Sequence, residues 1–248
     1  MGRPMKGTRP AIDPSLTEEF WLDLTGESQP TQRDQFLWLS IHLVRELGLA
    51  QFTITQVARQ LGYSVAMVNH HFGSRDGLIA EGAETVHLQY SSRLIDAAEN
   101  AGDNPRARLE AYVDARIALG REQGGWAQVL NFPFHSFESP QIAMARVGSG
   151  FNDSFNRNLR YMTQLIVDYR NGKVSHSTIE GDGFPQNVLA SDPTALLHAI
   201  NIGTATAGTV MWMTGRIDTG THGTAINDLT NTMAKKQVQL LIDSIPTI

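Results

Sequence analysis

Side chains able to do chemistry in this 248-residue chain are concentrated between Ala50 and Arg75. Arg59, Arg75, His70 and His71 stand there without a single acidic neighbour, interleaved with Thr53, Thr55, Ser64 and Asn69. Cations and hydroxyls donate hydrogen bonds to phosphate oxygens, and an Asn amide can pair with the N6 and N7 edge of adenine. That set suits nucleic-acid recognition rather than bond making. A second concentration is apolar: Trp126, Phe132, Phe134, Phe137, Phe151 and Phe155 put six of nineteen aromatics into thirty residues, together with His135 and Met144. Aromatic walls with a few polar groups suit a small apolar molecule in a concave site, and they also suit an ordinary packed core. Catalysis and metal binding have no comparable support. The eight histidines include no His-x3-His or His-Glu-x-x-His spacing, and there is no G-x-S-x-G, phosphate-binding loop or dinucleotide fingerprint.

Regular elements must position these groups. Thr53 is placed to cap a helix whose Ile54, Val57, Ala58 and Leu61 share one apolar stripe, and Gly62 ends it. Ser64 caps a second helix, Val65 to Phe72, of about two turns, on which Val68 and Phe72 point away from the exposed side. Ser74 caps a third. Two short helices across a tight turn form a helix-turn-helix, whose second helix fits a major groove about 12 Å wide.

The run from Thr53 to Leu78 resembles the DNA-binding head of the tetracycline-repressor (TetR) family. Thr53, Ala58, Gly62, Ser64, His71, Phe72, Ser74 and Leu78 meet its pattern, and Val57, Tyr63, Val68 and Arg75 are near substitutions. Departures are Ala66 for a usual Gly, Asn69 for a usual Tyr, and Gly77 inside the third helix. The resemblance implies that Val65, Ala66, Met67, Asn69 and His70 face the groove, while Thr53, Thr55, Ser64, His71 and Arg75 hold phosphates. It further implies a regulator that is a homodimer on a palindromic double-stranded operator, a repressor released by a small-molecule effector. The effector would enter near Trp126 and Phe155 and shift the helix that begins at Ser74. Tyr112, Arg116, His198 and Trp212 are the polar candidates added to the aromatic cluster for that site. Two alternatives stay open: a regulator that needs no ligand, and a helical enzyme or binding protein that does not read DNA.

Composition is consistent with this division. The net charge is −5, yet residues 1–75 hold seven Lys/Arg and seven Asp/Glu, so the whole acidic excess lies beyond them. Arg3, Lys6 and Arg9, among Gly and Pro, form a basic arm of the kind that trails along DNA, or simply a loose terminus. A hydrophobic content of 41% supports a sizeable core, and with no cysteine there is neither a disulfide nor a thiolate metal site. No secretory leader or membrane span is expected, which places the protein in the cytoplasm. Helical periodicity predicts an all-α fold. Residues 1–30 would form the arm and an extra short helix, 31–78 the DNA-binding head, and 79–248 a ligand-binding and dimerisation body. A break is expected at Gly148-Ser149-Gly150, a loop over residues 173–192, and two C-terminal helices forming a four-helix bundle across a dimer axis. No cofactor is implied.

Overall fold

The computed structural model describes residues 11–127, 149–175, 192–214 and 223–247, and among them every regular element is a helix. In chain order these are α1 (Glu18–Thr25), α2 (Gln32–Leu47), α3 (Ile54–Gln60), α4 (Val65–Phe72), α5 (Arg75–Glu99), α6 (Pro105–Glu122), α7 (Ser149–Asn171), α8 (Pro193–Thr214) and α9 (Gly223–Asp243). The all-α expectation holds. Local chemistry sets the boundaries. The hydroxyls of Thr17, Thr31, Ser64 and Ser74 each accept an amide hydrogen of the turn they precede. Thr53 makes a full capping box, its Oγ1 accepting from Gln56 N while Gln56 Oε1 accepts from Thr53 N at 2.7 Å. Asn104 caps α6 through Ala107 N at 3.0 Å, and Asp192 caps α8 through Ala195 N at 2.9 Å.

Two apolar cores result. The first gathers Phe36, Leu39, Ile41, Val44, Phe52, Val57, Val68 and Phe72 from α2 to α4 and their connections. The added N-terminal helix belongs to it: Trp21 is buried there, Phe20 lays its ring edge-on to Trp21 and His42, and the backbone amide of Asp13 bonds the Gln60 carbonyl at 2.7 Å. The second core joins α5 to α9 through residues such as Leu94, Leu109, Ile117, Leu165, Ile202 and Ile242. A polar clasp at its edge reinforces it, in which the exposed Glu99 carboxylate accepts from the buried Arg108 guanidinium and from the Tyr161 hydroxyl at 2.5 Å.

Helix α5 serves both cores. Leu78, Ile79, Ala83 and Val86 belong to the first, and Tyr90, Leu94 and Ala98 to the second. Gly77 and Gly82 of this helix have packing reasons. A Cβ on Gly77 would lie 2.1 Å from the Phe72 carbonyl oxygen, so its absence lets α5 start directly against the end of α4. A Cβ on Gly82 would lie 2.9 Å from the Trp126 ring.

That tryptophan is the other joint between the cores. The turn Gly124-Gly125-Trp126 after α6 docks on the C-terminal end of α2, where Trp126 Nε1 donates to the Ile41 carbonyl at 2.8 Å and Gly125 N to the Arg45 carbonyl at 3.1 Å. The approach is so close that a Cβ on Gly125 would sit 2.1 Å from the Val44 carbonyl oxygen.

Candidate nucleic-acid interface

Helix α4 presents a face fixed from behind. Val68 and Phe72 are buried as its periodicity predicts, leaving Ala66, Met67 and His70 exposed and Val65, Asn69 and His71 partly so. Met67, at 39% exposure, is a large apolar side chain held out in water, where a groove-facing methyl contact needs it. Ser64 accepts from Met67 N at 3.3 Å with its oxygen and is itself exposed, so its O–H and the leading amides of α4 can both meet an anion. Thr53 and Thr55 are exposed at the start of α3. Thr53, however, already donates its hydroxyl to Gln56 Oε1 at 3.1 Å.

Three other predicted contacts have internal partners or constraints. Arg75 Nη2 donates to the Leu49 carbonyl at 2.6 Å and Nε to the Phe52 carbonyl at 3.3 Å, with the guanidinium carbon 5.8 Å from the Phe52 ring centre. It braces the turn before α3, and its remaining nitrogen, Nη1, lies 3.7 Å from the Asp76 carboxylate, which a phosphate would have to displace or share. His71 is tilted against Phe36 at 5.6 Å between ring centres. Asn69 Oδ1 is buried with no hydrogen-bond partner, so pairing both amide atoms with adenine requires the side chain to rotate outward from this position. Arg59 of α3, one of the cations of the acid-free stretch though not among the contacts that the resemblance implies, is exposed in the fold. Its signal was there to read, as the sole cation of that helix. Behind the face, Arg33 stacks on Phe72 at 4.9 Å and pairs with Glu81 at 2.7 Å, tying α2 and α4 to α5.

The predicted ligand residues that the structure describes fall in different places. Phe132, Phe134, His135, Phe137 and Met144 lie outside the described residues, as do Arg3, Lys6 and Arg9. Phe151 and Phe155 fall on α7 and Trp212 on α8. Trp126 packs in the first core, apart from Tyr112 in the second. His198 is partly buried on α8, and burial together with the Arg170 charge lowers its pKa. Tyr112 and Arg116 do come together with three residues not foreseen, His87, Tyr90 and Thr206. Arg116 Nε donates to Thr206 Oγ1 at 2.8 Å, and Tyr90 Oη donates to the Arg116 carbonyl at 3.4 Å. Burial pushes both tyrosine hydroxyls up, opposed by the Arg116 charge. Burial and the same charge push His87 down to about 4. Among the described residues no group of three or more His, Asp or Glu could hold a metal ion, and no helix is long and apolar enough to cross a membrane.

Residues 40–81 match the sequence model for bacterial regulatory proteins of the tetR family. The HTH-type transcriptional regulator BetI of Stenotrophomonas maltophilia is 28% identical over 136 residues, covering 52% of this chain and 69% of that protein. A BetI regulator of Chromohalobacter salexigens is 31% identical over 117 residues, 46% of this chain and 56% of its own length. That of Yersinia pestis is 27% identical over 171 residues, with shares of 63% and 85%. Among solved structures, a transcriptional regulator from Rhodococcus sp. RHA1 superposes with a TM-score of 0.60 at 15% identity, over 88% of this chain and all of the other. A tetR-family regulatory protein from the same source gives 0.52 at 14%, over 89% and 100%. At such identities the likeness is one of fold. A helix-turn-helix head on a helical body, with these relatives, defines the class as DNA-binding transcriptional regulators. Residues 40–81 carry the tetR-family head of bacterial regulatory proteins, and the chain is similar to regulators that bear it.

Proposed function

We propose that the protein is a cytoplasmic homodimeric repressor that reads a palindromic operator with α4 and leaves it when a small molecule binds the body. The observation that carries this is the capped, acid-free face of α3 and α4, held from behind by the first core. Ala66, Met67 and His70 address base edges, and Asn69 joins them after turning outward. Ser64, Thr55, Arg59 and the partly exposed Nη1 of Arg75 hold phosphates, with Arg3, Lys6 and Arg9 as the arm. We take residues 31–78 as the DNA-reading part, with 1–30 added to it, and 79–248 as the body, which lends the head core Ile79, Ala83, Val86 and Trp126. Dimerisation through α8 and α9 is supported by Leu197, Ile200, Met233 and Leu240, apolar side chains 47% to 64% exposed on two helices that pack together.

Release needs a path from body to head. Two elements supply one: α5, which runs through both cores, and the Gly124-Gly125-Trp126 turn, which fastens α6 to α2. An effector that moves α5 or α6 therefore moves the bed on which α4 rests. The test is selection of bound duplexes from a random pool by the full chain, followed by gel shift. An enriched inverted repeat whose binding falls when Met67→Ala is introduced is expected; a pool with no enriched sequence would overturn it. Sedimentation of a Leu197→Glu, Leu240→Glu double variant should give the monomer mass, and an intact dimer would place the interface elsewhere.

A further inference from the structure

The effector has been given no chemistry beyond an apolar body, and the cluster around Arg116 supplies more. Its guanidinium is partly buried between α5, α6 and α8, and among the described residues no carboxylate pairs with it; its side-chain partner is the neutral hydroxyl of Thr206. Directly on the turn before it, Tyr112 is fully buried with its hydroxyl beside the Arg116 guanidinium, and the hydrogen of that hydroxyl has no acceptor. A guanidinium removed from water and a buried hydroxyl without an acceptor lack the same thing, an anionic oxygen. His87 does not provide it: an imidazole carries no oxygen and is never an anion at ordinary pH. The core that holds the cluster is otherwise apolar, with Val113 and Ile117 on α6 and Ile202 on α8 all buried.

We infer that this cluster is the effector's polar anchor, and that the effector is a monocarboxylic acid with an apolar or aromatic body, its carboxylate paired with Arg116 and accepting from the Tyr112 hydroxyl. A guanidinium fork matches the two oxygens of a carboxylate. Arg116 is the one cation, among the described residues, whose charge acts on His87, Tyr90 and Tyr112. One positive charge neutralises a carboxylate; a phosphate dianion would leave net charge buried. Tyr112 and Arg116 lie one turn apart on α6, so both can reach one small group. This assignment deepens the ligand-release proposal and rests on it for its biological meaning, though not for its test.

The experiment is calorimetric titration of the full chain, without DNA, with matched acids and primary amides: benzoate and benzamide, phenylacetate and phenylacetamide, octanoate and octanamide. At least one acid should bind roughly 10- to 100-fold more tightly than its amide, the range for a charge-assisted hydrogen-bonded pair. Arg116→Gln should reduce that preference to less than about threefold, and Tyr112→Phe should weaken the acid more than the amide. If Arg116→Gln does not melt cooperatively, Arg116→Lys decides, because it keeps the charge but loses the fork and should still lose most of the preference. Equal binding of acids and amides, binding of neither, or a preference unchanged in the Arg116 variants would overturn the assignment. An acid that binds through Arg116 yet leaves operator affinity unchanged would sink the release mechanism alone.

Discussion

Gly125→Ala tests the joint between the two cores directly. The added methyl would lie 2.1 Å from the Val44 carbonyl oxygen and 2.6 Å from the Gly48 Cα, both backbone atoms that no side-chain rotation can move aside. The turn must therefore lift from α2 by about 1 Å or more for ordinary van der Waals contact. Lifting lengthens the Gly125 N to Arg45 carbonyl bond at 3.1 Å and the Trp126 Nε1 to Ile41 carbonyl bond at 2.8 Å, each contributing about 1 kcal/mol. It also draws Trp126, 1% exposed, partly out of its site under Gly82. Complete loss of a buried tryptophan costs about 3–5 kcal/mol, so partial withdrawal with both bonds weakened should cost about 2–4 kcal/mol. The assay is urea unfolding followed by circular dichroism and tryptophan fluorescence. Gly203→Ala is the control: its Cβ would meet only Met162 Cε at 3.4 Å, and removing a helical glycine should stabilise by about 0.5–1 kcal/mol. A Gly125→Ala midpoint equal to wild type, or a cost no different from that control, would refute the docking argument.

Gly77→Ala forces a methyl to 2.1 Å from the Phe72 carbonyl, so α4 and α5 must separate; gel shifts should show at least a tenfold loss of operator affinity, roughly the effect of 1.4 kcal/mol. Arg75→Ala removes donors to the Leu49 and Phe52 carbonyls, and because the side chain is about a third exposed the cost should be near 1 kcal/mol in denaturant unfolding. The same variant should weaken binding to every DNA sequence alike, which a panel of operator mutants would check. The folded pKa of His87 is depressed from 6.5 to about 4, so the unfolded chain takes up more protons in that interval. Its contribution is complete above about pH 6.5 and is lost as pH falls towards 4, roughly 3 kcal/mol in all. His87→Gln should flatten that slope in unfolding free energies measured at pH 7, 6 and 5.

The head was legible because its signals are local. Thr53, Gln56, Ser64 and Ser74 cap helices within four residues of themselves, and the burial of Val68 and Phe72 follows from period alone. What Arg75 does was not legible. Its partners, the carbonyls of Leu49 and Phe52, lie 26 and 23 residues away and are aligned only once α2 and α3 have packed. The aromatic cluster misled in one respect. Trp126 groups by sequence with the aromatics that follow it, yet a turn with two glycines sends it into the head core. Conversely, Arg116 and Thr206 are 90 residues apart, and nothing in either neighbourhood predicts that α8 lays one against the other.

Because α5 is shared, the head cannot be lifted out of this protein as a unit. A fragment ending at residue 78 would lose Ile79, Ala83 and Val86 from its core, and even one extended through α5 would lack Trp126, leaving a vacancy beside Gly82 and the Ile41 carbonyl without its donor. Chimeras that graft a foreign DNA-binding head onto this body must therefore bring, or rebuild, a socket for that indole. Where they do not, the failure should be one of folding, seen before any operator is offered.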